Sequence, residues 1–140
     1  MAFKAVVDIP RKAGAVWGVL TDVNLWSEWW GGAMRNVEPG WEPDGRVKWA
    51  RESTATIATV EEERRLELVS DSSGTKWIFE LTPAPDGGTR FTFIEDFTDS
   101  RVKVAERDAK LAQNEATAAK FRDAVVGRTL APKKWWQFWK

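Results

Sequence analysis

With no histidine and no cysteine, acid–base chemistry in this chain falls to its carboxylates, with arginines beside them. Asp108, Glu115 and Arg122 recur every seven residues, a spacing that puts them on one stripe of a helix. Glu95 shares strand parity with Phe91 and Phe93, and Arg51 shares it with Trp49. A carboxylate in an apolar setting can carry a displaced pKa and act as a general acid or base. Glu95 and Glu115 are the candidates for that role, with Arg122 or Arg51 stabilising developing negative charge. The same groups also suit a second role, as the few polar anchors that orient a ligand in an apolar pocket. A third reading is a solvated stripe, which fits Asp108 best because it lies near the start of the helix. Glu95 has a corresponding alternative, an ion pair with Arg51 or Arg122, since buried charges need partners.

The missing residue types exclude much else. Without cysteine there is no disulfide, thiolate nucleophile or sulfur ligand for a metal. Without histidine there is no Ser-His-Asp triad and no imidazole ligand. No calcium-loop spacing, phosphate-binding Gly-rich loop or G-x-S-x-G elbow occurs. The expectation is no metal and no cofactor. The 21 basic and 21 acidic residues cancel, so bulk electrostatics make no case for nucleic acid. Asp8, Arg11 and Lys12 interrupt any signal-peptide pattern, and no apolar run is long enough to span a bilayer. The expected location is cytoplasmic, with peripheral attachment to a membrane as the variant.

Aromatic residues supply the rest of the candidate chemistry. Seven of the ten tryptophans lie within the first 77 residues, inside periodic segments. Trp49, Trp77, Phe79, Phe91 and Phe93 occupy inward strand positions and either fill a core or line a cavity. Trp26, Trp29 and Trp30 crowd one short segment. Three rings there exceed what one face can hide, so one of them is expected to guard a pocket mouth. The other three tryptophans fall in the last six residues. There Trp135, Trp136, Phe138 and Trp139 are interleaved with lysines, which suits a bilayer interface or a groove on a protein partner. An appended segment with no native role is the remaining reading of that tail.

These residues must be positioned by an ordered set of elements. Phe3, Ala5, Val7 and Ile9 alternate with polar residues and predict a first strand ending at Pro10. Val16, Trp17 and Leu20 predict a short helix over 13–20. A second starts near Asn24 and stops at Gly31-Gly32. From Met34 to about residue 98 the pattern is β, punctuated by Pro39-Gly40, Pro43-Asp44-Gly45, Asp71 to Gly74 and Pro83 to Gly88. Residues 101–126 predict a long helix. Its facing stripe is read as two seven-residue rows, Val104, Leu111, Ala118, Val125 and Ala105, Ala112, Ala119, Val126. Pro132 is expected to end it. One domain is expected over 1–130, followed by the Trp/Lys-rich tail over 131–140.

A meander of that length is apolar on one face and must cover it, and the last helix is the only long cover available. The expected class is α+β: a curved antiparallel sheet of about seven strands around a C-terminal helix, with two short helices after the first strand. The opening residues Val7-Asp8-Ile9-Pro10, Val16-Trp17, Leu20-Thr21-Asp22, Trp26 and Glu28-Trp29-Trp30 resemble the START-like, Bet v 1-like superfamily, in its SRPBCC, polyketide cyclase/dehydrase branch. Asp44-Gly45 before the third strand adds to the likeness, which covers about residues 2–127. The resemblance implies a helix-grip fold with a cavity for apolar or amphipathic small molecules. It leaves open whether a member binds, carries or transforms them.

Three functions follow as expectations. The first is a non-catalytic binder or carrier of a small hydrophobic or amphipathic ligand, lipids included. Its site is expected at Trp30, Trp49, Trp77, Phe79, Phe91, Phe93, Glu95, Glu115 and Arg122. The second is a cyclase- or dehydrase-type enzyme using the cavity carboxylates. The third is an interaction module recruited to a membrane or partner by its tail.

Overall fold

The computed structural model describes residues 2–97 and 103–137, with the side chains of 104 and 129–137 outside the description. Strand β1 (Ala2–Ile9) leads through Pro10 to helix α1 (Ala13–Leu20). A single 3-10 turn, Val23–Leu25, is capped by the Asp22 carboxylate, which accepts from the Asn24 main-chain N–H at 3.0 Å. It runs into the one-turn helix α2 (Trp26–Trp29). Six strands follow: β2 (Met34–Glu38), β3 (Arg46–Trp49), β4 (Thr54–Glu61), β5 (Arg65–Ser70), β6 (Lys76–Pro83) and β7 (Thr89–Asp96). Helix α3 (Val104–Gln137) is the last element among the described residues.

All seven strands join one antiparallel sheet in the order β1-β7-β6-β5-β4-β3-β2. Each strand from β2 to β7 pairs with its sequence neighbour, because the turns between them are too short for anything else. β1 then closes onto β7, aligning Phe3 with Glu95, Ala5 with Phe93 and Val7 with Phe91. Register shifts in β2 after Met34 and in β4 after Ile57 mark bulges, which bend and twist a sheet. The β6–β7 turn presses on the end of β1: a Cβ at Gly88 would stand 2.4 Å from the Ile9 carbonyl oxygen, so only glycine fits.

The concave face of the sheet takes α3, chiefly against β1, with α1 and α2 closing one end. An ion pair between Arg128 and Glu28 ties α3 to α2. The buried face of α3 is Asn114, Ala118, Phe121, Ala124 and Val125. That matches the expected stripe at Ala118 and Val125 and departs from it elsewhere. Ala105, Ala112 and Ala119 are exposed, and Leu111 is 38% exposed. Alanine favours a helix wherever it stands and so does not report which face is covered. A seven-residue row also drifts by about 20° per repeat around a straight helix. The helix end differs too, since α3 runs through Pro132 to Gln137. The φ of proline suits a helix, and its missing N–H removes one rung of the ladder. No helix among the described residues is long and apolar enough to cross a membrane.

A candidate ligand cleft between sheet and helix

Two sets of aromatic rings occupy the space under α3. The first is closed. Trp26 and Trp29 are fully enclosed, with ring centroids 4.4 Å apart. The Trp26 indole Nε1 donates to the Leu20 main-chain oxygen at 2.8 Å, so its one polar group is satisfied on burial. Phe79, Phe91 and Phe121 complete this end, with Phe91 and Phe121 stacked at 4.3 Å. Such rings are core.

The second set opens onto a cleft of about 510 Å³. Trp30 lies just past α2, Trp49 ends β3, Trp77 opens β6 and Phe93 sits mid-β7; all four line it. Trp30 and Trp49 lie nearly parallel, 13° apart at 5.9 Å between centroids. Trp77 stands almost perpendicular to both, at 87° and 83°. The result is a corner of flat apolar walls. Gly31, Gly32, Ala33 and Ala50 keep its rim low. The volume falls within the range of sites for small organic ligands, about 300–1,000 Å³.

Polar groups enter from three sides. Glu95, two residues beyond Phe93 on β7, accepts a hydrogen bond from Trp77 Nε1 at 3.2 Å. Arg51 reaches the cleft from the turn after β3, where Glu52 takes a left-handed backbone with φ 64°. Lys110, Gln113, Asn114 and Thr117 come from the first half of α3. The Lys110 ammonium also lies 5.1 Å from the Phe97 ring centroid, a cation–π distance.

The expected site residues therefore divide. Trp30, Trp49, Trp77, Phe93 and Glu95 share the cleft. Phe79 and Phe91 are enclosed in the packed end instead, because α2 and Phe121 fill the space opposite them. Glu115 and Asp108 point to solvent, since neither lies on the face of α3 turned to the sheet. Arg122 is elsewhere: its Nε donates to the Asp8 main-chain oxygen at 3.2 Å, pinning α3 to β1. Asp8 pairs with Arg90 at 2.8 Å, and the guanidinium hydrogen bond holds its carboxyl below the usual range. Arg90 and Glu95 are five strand residues apart, about 17 Å, so Arg122 and the cleft belong to different ends. The alternative reading of Glu95, an ion pair with Arg51 or Arg122, is not seen among the described residues, where its carboxylate accepts from the Trp77 indole. With Glu115 outside, the described lining of the cleft has one carboxylate rather than two.

Lys110, Gln113, Asn114 and Thr117 were not among the expected site residues. A signal existed, because positions 110, 114, 117, 121 and 124 follow the three–four spacing of one helix face. Polar residues on its first half conceal it. The tail residues Phe138 and Trp139 lie outside the described residues, as do the side chains of Trp135 and Trp136.

A larger depression of about 870 Å³ lies at the turns joining β4 to β5 and β6 to β7. Lys12, Glu62, Glu63, Arg64 and Thr82 are among its lining, which contains no aromatic ring. The smaller cleft has the apolar walls that a ligand site needs.

No family model matches the sequence, and no curated protein matches it. Solved structures do match. The Aha1 protein of Colwellia psychrerythraea, solved as a dimer, superposes with a TM-score of 0.69 at 10% identity, over 89% of this chain and 96% of that one. The AHSA1-like protein of Aeromonas hydrophila gives 0.67 at 19% identity, over 93% and 95%. DynU16, from the dynemicin biosynthetic locus, gives 0.66 at 17% identity. The match covers 87% of this chain but 46% of DynU16, so the chain spans about half of that protein. At such identities the likeness speaks to fold, and with the sheet order and α3 already described it is decisive there: the chain has the helix-grip fold of START-like, Bet v 1-like proteins.

Proposed function

We propose that this protein binds or carries a small hydrophobic or amphipathic molecule in the cleft between sheet and α3. The observation that carries the reading is the corner of Trp30, Trp49 and Trp77 on the cleft wall, where Trp30 and Trp77 stay part-exposed while Trp26, Trp29, Phe79 and Phe91 are enclosed. Exposed indole faces in a concave site gain contact area and edge or stacking interactions when a ligand enters. Glu95, Arg51 and Lys110 at the same site give such a ligand a preferred orientation. A cyclase-type reaction draws less support, because the second carboxylate assigned to it, Glu115, is solvated.

Titration with N-phenyl-1-naphthylamine, a neutral fluorescent probe, tests the reading. Saturable binding at one site is expected, weakened at least about tenfold by Trp77→Ala. Binding that never saturates, or that ignores the substitution, overturns it. In this reading the 131–140 tail is separate from the site, so its deletion leaves probe affinity unchanged.

A further inference from the structure

Asn114 is 3% exposed and lines the cleft, yet its Nδ2 has no hydrogen-bond partner among the described residues. A buried amide donor left unpaired is costly, so such a group in a ligand site marks where an acceptor belongs. Two side chains of the same lining are otherwise engaged. The Thr117 hydroxyl donates to the Gln113 main-chain oxygen at 3.0 Å, and Glu95 accepts from Trp77. Trp29 Nε1 is also unpaired, but Trp29 belongs to the packed end and does not line the cleft. Charge points the same way as the orphan donor. Among the described lining residues, Arg51 and Lys110 outnumber the one carboxylate, Glu95.

We infer that the cleft takes a flat, unsaturated carboxylic acid, with its ring body in the Trp30–Trp49–Trp77 corner and its carboxylate accepting from Asn114 Nδ2. This rests on the binding role proposed above and adds the chemistry of the ligand. A carboxylate has several acceptor sites and gains most from the donor and from the positive potential of Arg51 and Lys110. A hydroxyl gains less. An ammonium has no lone pair to offer Asn114.

Calorimetric titration of the full chain with 2-naphthoate, 2-naphthylmethanol and 2-naphthylmethylamine reads the head group against a constant body. Naphthoate is expected to bind about tenfold tighter than the alcohol, and the ammonium more weakly than naphthoate. Asn114→Leu, of similar size, should remove most of the advantage of naphthoate over the alcohol, leaving only the part that Arg51 and Lys110 supply. Asn114→Asp should reverse the order in favour of the ammonium. It decides the matter by itself if the leucine variant does not fold. Equal binding of all three probes to the unaltered protein overturns the head-group assignment and leaves the binding role standing. So does an advantage for naphthoate that Asn114→Leu leaves undiminished. Failure of every probe to bind overturns the binding role and this inference together.

Discussion

At one end of the sheet–helix interface Phe121 stacks on Phe91 at 4.3 Å and nothing is left open. Two helical turns earlier Asn114 stands on the same face of α3, and a cleft of about 510 Å³ separates helix from sheet. The strands differ little between the two ends. β7 presents Phe91 to the first and Phe93 and Glu95 to the second; β6 presents Phe79 and Trp77. What differs is the cover. Trp26 and Trp29 of α2 join Phe121 to fill the closed end, whereas Lys110, Asn114 and Thr117 are short or polar and leave their end unfilled. An inward aromatic ring is thus core or wall according to the residue opposite it.

Substitutions that exchange the two ends test that contrast. The largest effect is expected from Phe121→Ala, which empties the packed end. It should cost about 3–5 kcal/mol of unfolding free energy in urea titrations, roughly a 10 °C fall in Tm. A cost under about 1 kcal/mol would mean that this end is not tightly packed. Asn114→Phe is the converse, building a second plug where the cleft now lies. Probe binding should disappear while stability stays within about 1 kcal/mol of the starting protein, since a new ring replaces an unpaired amide. A loss as large as that of Phe121→Ala would show that no open space exists there.

The smallest effect is expected at a site belonging to neither end. Asp71 accepts from the Thr54 hydroxyl at 2.6 Å and the Thr56 hydroxyl at 2.8 Å, with Arg46 at 3.1 Å. The Thr54 hydrogen bond, opposed by partial desolvation and aided by Thr56 and Arg46, holds its carboxyl below the usual range. The sign follows by linkage. A depressed folded-state pKa gives stability that is present above the ordinary carboxylate value, about 3.9. That stability is lost as pH falls through the lower folded value. Asp71→Asn should flatten this acid limb of the stability profile by less than about 1 kcal/mol, because the group is largely solvated. Cleft binding at neutral pH should not change. An unaltered acid limb would remove Asp71 from the account.

Much of the framework is legible from local pattern. The alternation of Phe3, Ala5 and Ile9 marks a half-buried strand, and the bounds of α1, β2, β4 and β5 follow from turn residues and β-branched runs. These are short-range signals, read over a few residues at a time. The face of α3 is less legible. Its buried row mixes Asn114, Ala118 and Phe121, and a polar residue on an inward face looks like one on an outward face unless the partner surface is known. Glu115 and Arg122 fit the seven-residue stripe equally well in sequence, yet one meets solvent and the other the Asp8 carbonyl.

Sequence alone determined the order of elements, the antiparallel meander and the strand parity that turns Trp49, Phe91, Phe93 and Glu95 inward, because side-chain direction in a strand follows from counting by two. Tertiary structure alone decided which of those rings are covered. Coverage depends on where a helix more than 20 residues away lands against the sheet, and on whether Phe121 or Asn114 is the residue that arrives.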